Sequence, residues 1–248
     1  MTNFIKNPNL PMGKVTSVIC GELCPELNSF LESRGIKRFV IEPNSHIDHA
    51  VRFHADMATV HLGGNKIIVD KNQIDLIKDL EHEGFTVIET KGEIKGEYPC
   101  DISLNFTVIK DRIIGNFRFA DEALTDNISY FKRINVKQGY CKCSCLVISD
   151  SALITDDKSI YDNALRNSLD CLLVSKGDVT LDGHEYGFIG GASAKISATE
   201  VLFFGDITKH TDYKKIAAFI KKHGCKIISL DFELTDFGGI ISITEKAP

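Results

Sequence analysis

Along the chain, short β-branched apolar runs alternate with stretches whose apolar residues recur at i, i+3 or i+4 and i+7. The first pattern predicts buried strands and the second predicts amphipathic helices. Three segments repeat the alternation in one order: an apolar run, a polar turn, an amphipathic helix, a glycine and a second apolar run. They span residues 15–41, 66–88 and 200–228. In the second, Ile74, Ile77 and Leu80 carry the apolar face of the helix. Each helix is expected to stop at a glycine (Gly35, Gly84 or Gly224), the residue that most easily takes the left-handed C-cap conformation.

Two weaker copies, 112–136 and 152–174, keep strand, helix and strand but lose the glycine. The closing strands therefore recur at a spacing of roughly 40–55 residues, within the range of supersecondary repeats. A further strand is predicted ahead of four copies, at 57–62, 102–109, 143–149 and 192–198. The fifth such strand, 239–244, stands at the C-terminal end with nothing after it, while 15–41 has no leading strand of its own. Joining these two ends in one unit closes a ring of five and removes exposed sheet edges. The expectation is one α/β domain over residues 1–248, a five-bladed pseudo-symmetric α/β-propeller whose terminal segments share a blade. An ordinary α/β sandwich with irregular alternation is the alternative.

Composition narrows the partners. A formal net charge of -5 leaves no cationic excess for phosphates, which argues against nucleic acid. No run approaches the roughly 18 uninterrupted apolar residues of a membrane span, and residues 1–13 lack the apolar core of a signal peptide. A soluble cytoplasmic protein is expected, and its eight cysteines are then read as thiols rather than disulfides. No cofactor and no metal are expected. A small-molecule ligand is, while a protein partner or homo-oligomer stays open.

Five such units around a pseudo-fivefold axis resemble the pentein fold of guanidine-modifying enzymes, which include arginine deiminase, agmatine deiminase and dimethylarginine dimethylaminohydrolase. The resemblance implies an F-x-R-D-like stretch in the first blade, H-x-D or H-x-E in a central blade, and G-G-x-x-H-C-x-T with a nucleophilic Cys in the last. Here Phe53-His54-Ala55-Asp56 keeps the Asp and lacks the Arg. The stretch from Gly238 to Thr244 keeps the glycines and the Thr, with Ile241 at the His position and Ser242 at the Cys position. The central blade reads Tyr140-Cys141-Lys142-Cys143, without a His. The family reaction needs a thiolate and a proton-moving His. Ser242 beside Ile241 cannot supply them.

Aligning the repeats on Asp70, Asn116, Asp156 and Asp206 brings His54–Asp56, Cys100–Asp101, Cys141–Lys142 and Gly190–Ala192 to equivalent positions facing the ring centre. One reading is a rewired site. Cys141 or Cys100 is then the nucleophile, with His54 as base and Asp56 and Asp101 as anchors for a cation. Lys142 would lower a thiol pKa, and Ser242 would line the pocket. The other reading has the cysteines filling a tight centre as small hydrophobes and the carboxylates capping loops. The alternation of Cys141, Cys143 and Cys145 predicts that all three point to one side of a strand, at no recognised zinc spacing. His46, Asp48, His49, His54 and His61 form a second cluster, read as a loop coincidence, with metal binding as the minority reading. Residues 187–193 and Gly238-Gly239 read as places where backbone approaches the centre closely, since no phosphate-loop pattern is present.

Two functions follow. One is a divergent hydrolase or binder of a small cationic, guanidine-like or amino-acid-like ligand in the central cavity. The other is a non-catalytic interaction protein on the same scaffold, as in the ribosome anti-association factor that also has this fold. The second predicts a solvent-facing apolar patch on one ring face.

Overall fold

The computed structural model describes residues 2–246; Met1, Ala247 and Pro248 of the expected domain range lie outside the described residues. Strands β1 (Thr2–Phe4) and β2 (Val15–Cys20) precede helix α1 (Pro25–Ser33) and β3 (Lys37–Val40). The second unit holds α2 (Ala55–Ala58), β4 (Thr59–Gly63), β5 (Lys66–Val69), α3 (Ile74–His82) and β6 (Thr86–Glu89). The third holds β7 (Thr107–Ile109), β8 (Arg112–Gly115), α4 (Glu122–Asn127) and β9 (Lys132–Asn135). The fourth holds β10 (Cys145–Ser149), β11 (Ala152–Thr155), α5 (Lys158–Arg166) and β12 (Asp170–Leu173). The fifth holds β13 (Ser193–Lys195), β14 (Glu200–Phe203), α6 (Tyr213–Lys222) and β15 (Lys226–Ser229), and β16 (Ile241–Lys246) is the last element of the described residues.

The four internal sheets have one topology: an antiparallel hairpin, then a helical crossover to a parallel strand. The remaining sheet has the order β1-β16-β2-β3. There β16 supplies the leading strand, antiparallel to β2, so both ends of the chain build one blade as the repeat predicts. The edge strand β1 is an addition with no counterpart in the other units. The leading strands are shorter than the apolar runs suggest. Residues 102–106 and 141–144 form turns ahead of β7 and β10, and α2 replaces the first residues of the 57–62 run.

Five apolar clusters hold the sheets together, each joining one blade to the next. Ile19 and Ile241 meet Val69; Val60 and Ile68 meet Val108; Ile109 meets Val147; Ile148 meets Val201. The fifth cluster joins Val18 and Cys20 to Leu202 and Phe204, and so the last blade to the first. Burial of this kind, at ~25 cal/mol per Å², is the dominant favourable term for such a ring. The leading strands β7, β10, β13 and β16 touch in succession.

Helix ends follow the local chemistry. Gly35, Gly84 and Gly224 have φ of 67°, 89° and 73°, and Ser168 takes the same left-handed conformation after α5 with φ 60°. Asp121 and Asp157 cap α4 and α5, accepting from the backbone N–H groups of Ala123 and Ile160. The N-terminal segment ties three units together. Ile5 exchanges backbone bonds with Ile243 and Gly64, the Asn9 side chain donates to the Val108 carbonyl, and Leu10 packs with Ile109. No helix of the described residues is long and apolar enough to cross a membrane.

Candidate active site

The central residues are carried by the turns that lead into the inner strands. His54 stands at the N-terminal end of α2 and Asp56 lies in its only turn; both are buried. That short helix is tied to the last blade, since the Asp56 N–H donates to the Gly238 carbonyl at 3.3 Å. Cys143 comes from the 141–144 turn. One ligand-type atom from each of His54, Asp56 and Cys143 lies within 4.8 Å of the others.

Asn105 fixes this arrangement. Its carboxamide oxygen accepts the backbone N–H groups of Lys142 (2.7 Å) and Cys143 (3.4 Å). Its amide nitrogen contacts the Asp56 carbonyl and the Cys143 sulfur, each at 3.2 Å. One fully buried side chain thus locks the cysteine turn onto α2.

Asp236 reaches the same place from the last blade. Its carboxylate accepts from the Gly238 and Phe188 backbone N–H groups at 2.8 and 2.9 Å. Its Oδ1 stands 3.9 Å from His54 Nδ1. Glycine permits this crowding: a Cβ at Gly191 would lie 1.8 Å from Asp236 Oδ1, and one at Gly190 would lie 2.5 Å from the Lys142 and Cys145 carbonyls.

His54, Cys143 and Asp236 floor a cleft of about 230 Å³. Tyr140, Tyr186 and Phe188 wall it, while Asp48, His184 and Glu185 stand at its polar side. A second hollow of about 470 Å³, bordered by Glu22, Cys24, His49 and Arg52, meets the first at His54, Leu181 and Asp236. The Tyr140 hydroxyl donates to Asp101 at 2.7 Å, and its ring lies 5.9 Å from that of Phe188.

Burial dominates the electrostatics. It raises the Asp56 carboxyl to about 6, with His54 and Lys142 opposing it and Asp236 adding to it. The Cys143 thiol is pushed well above its usual range, by burial first and then by the Asp56 and Asp236 carboxylates. Both Asp56 oxygens and His54 Nδ1 are buried without a hydrogen-bond partner.

Of the expected site residues, the fold brings His54 and Asp56 together, with Lys142 near enough to act on Asp56 electrostatically. Cys141 is corrected. Its thiol donates to the Gln138 carbonyl at 3.0 Å and packs in the apolar seam with Ile109, Ile114 and Cys145. The three alternating cysteines do not share a side, because a turn rather than a strand carries 141–144, and Cys143 alone faces His54 and Asp56. Cys100 is exposed. Asp101 reaches the cleft only through Tyr140. Lys142 is buried and borders two small hollows with Asn9, one of them also lined by His61. Ser242 donates to the Lys195 carbonyl at 2.9 Å and does not line the cleft. Among the described residues, His46, Asp48 and His49 form no ligand cluster.

Asp236, Tyr140 and Asn105 escaped the sequence reading. The nearest signal for Asp236 is its place two residues ahead of Gly238-Gly239.

Several solved structures are similar to this chain, and their descriptions name amidinotransferases, agmatine deiminase and DDAH. An amidinotransferase of the saxitoxin pathway from Microseira wollei matches with a TM-score of 0.62 at 14% identity, covering 98% of both chains. The inosamine-phosphate amidinotransferase of Streptomyces griseus matches with a TM-score of 0.58 at 9% identity, over 99% of this chain and 98% of that one. DDAH from Pseudomonas aeruginosa, in complex with citrulline, matches with a TM-score of 0.55 at 9% identity, over 95% of this chain and 100% of that one. At such identities the likeness establishes the fold: it is the pentein propeller. No curated protein matches the sequence. One family model does, over residues 18–241, and the chain belongs to that family, described as a family of unknown function, DUF6873.

Proposed function

We propose that the cleft receives a small cationic molecule bearing a guanidine- or amidine-like group, and that the Cys143 thiol attacks its central carbon. The carrying observation is the buried group of His54, Asp56 and Cys143, of which His54 and Cys143 line an aromatic-walled cleft together with Asp236. A planar cation suits both surfaces, since aromatic faces and carboxylates attract it. The similar structures, named as amidinotransferases and a DDAH, support the same substrate class.

The electrostatics give the order of events. In the empty cleft the carboxylates and burial keep the thiol protonated. A cation seated between them offsets that charge and eases ionisation. His54 takes the thiol proton, and the thiolate forms a C–S bond to the central carbon. The departing amine receives a proton from the His54 imidazolium as its C–N bond breaks. Water then releases the product by hydrolysis, or an acceptor amine releases it by amidino transfer.

The test is mass spectrometry of the full chain after treatment with a reactive haloamidine. Labelling should concentrate on Cys143 and fall when a simple alkylguanidinium is present. Labelling confined to the more exposed Cys100 and Cys24, or uniform over all thiols, would sink the proposal.

A further inference from the structure

We infer that His54, Asp56 and Cys143 also form a binding site for a divalent transition-metal ion of the zinc type, whose occupancy excludes the cationic ligand. The site shares residues with the reading above but does not depend on it.

The donor set is the first argument. Imidazole, carboxylate and thiolate all bind zinc, at about 2.0–2.3 Å. Geometry is the second. The three ligand atoms lie within 4.8 Å of one another. Three points so placed lie within about 2.8 Å of a common centre, so contractions of well under ~1 Å bring all three to bonding distance.

Unmet bonding capacity is the third argument. Asp56 is fully buried, and neither of its oxygens has a hydrogen-bond partner; His54 Nδ1 is likewise buried and unpartnered. Buried polar atoms are rarely left so, and a cation here would satisfy them together. The surroundings are organised for this as well. Asn105 directs its amide at the Cys143 sulfur from behind, the kind of supporting contact that orients a metal ligand. Charge also closes. The Asp56 carboxylate and a Cys143 thiolate balance the ion. The thiol proton displaced on binding passes to bulk water. On the cleft side Asp236 Oδ1 stands near His54, so the fourth position falls to this carboxylate or to a water.

Sequence spacing hides the site because the ligands come from two blades. The Cys143 turn meets α2 only once the ring has formed.

The experiment strips the full chain with a chelator, removes the chelator and titrates with Co²⁺. One equivalent should produce a thiolate-to-cobalt charge-transfer band that Zn²⁺ abolishes, and Zn²⁺ should raise the melting temperature. Cys143→Ser should lose the band while Cys100→Ser keeps it. His54→Ala and Asp56→Asn should weaken Co²⁺ at least about tenfold without changing the circular dichroism of the metal-free chain. Absence of the band in the wild type, or its survival in Cys143→Ser, overturns the site. If Cys143→Ser does not fold, Asp56→Asn decides, and undiminished cobalt affinity there overturns it equally. Haloamidine labelling of Cys143 with no cobalt band removes the metal site and leaves the cationic-ligand reading standing. A cobalt band without labelling does the reverse.

Discussion

Gly238 lies against His54 with no space for a side chain, since a Cβ at Gly238 would stand 2.2 Å from the His54 Cβ. Its φ of 74° is left-handed, and its carbonyl accepts the Asp56 N–H. Gly238→Ala therefore combines strain with a clash against the one histidine on the cleft floor. The expected loss is about 2–4 kcal/mol of stability, with Cys143 labelling abolished. Gly239 provides the control. Its φ of 70° is as strained, but a Cβ there meets nothing closer than 3.4 Å. Gly239→Ala should cost only ~1 kcal/mol. Equal denaturation midpoints for the two variants would refute the close packing.

Asn105 carries the link between the cysteine turn and α2. Asn105→Ala removes an acceptor from the Lys142 N–H and a donor from the Cys143 sulfur, both buried. The expected cost is roughly 2–4 kcal/mol, read by urea denaturation. A folded fraction should show altered labelling at Cys143 but not at Cys100, which lies exposed and outside this network.

Repetition made the ring legible. The five-unit count and the blade shared by 15–41 and 239–244 follow from strand and helix periods that recur in every unit. The centre was half legible. His54 and Asp56 fall at aligned repeat positions, and α2 holds Asp56 beside His54, which lines the cleft. Cys141 falls at an aligned position as well but packs in an apolar seam away from the cleft, because 141–144 turns before β10 begins. Asp236 lies outside the repeat frame altogether. Its role depends on three close backbone approaches, at Phe188, Gly191 and Gly238, that no local pattern encodes.

Tyr140 positions the aromatic wall through Asp101. The Asp101 carboxyl is raised by burial, and the Tyr140 hydroxyl bond is the main interaction opposing that rise. Tyr140→Phe leaves both Asp101 oxygens unpartnered, since Oδ1 already has none. The expected loss is about 1–2 kcal/mol. Affinity for an alkylguanidinium, measured by calorimetry, should fall as well, because the ring next to Phe188 is no longer anchored. Unchanged stability would show that the hydrogen bond does not hold the wall.

Asp156 gives the fold a testable pH dependence. Its carboxyl is raised to about 7 by burial, with the Ile189 N–H and Lys176 opposing, and Asp236 and Asp157 adding to the rise. Only one of its oxygens is partnered, by the Ile189 N–H at 3.0 Å. A folded pKa above the unfolded value means the folded state keeps a proton that the unfolded chain has released. That contribution is full below about pH 4 and is lost as pH rises through about 7. Asp56, raised to about 6, acts in the same direction, whereas His61, lowered by burial to about 4, acts oppositely below its ordinary value. Wild-type stability sums these with the other shifted groups, among them Asp101 and Asp212, so the informative quantity is the difference from Asp156→Asn. An amide resembles the protonated acid and does not ionise. The variant should gain on the wild type by on the order of 3 kcal/mol between pH 4.5 and pH 8, read from urea midpoints. A difference that stays constant across that interval would mean that Asp156 titrates alike in the folded and unfolded chain.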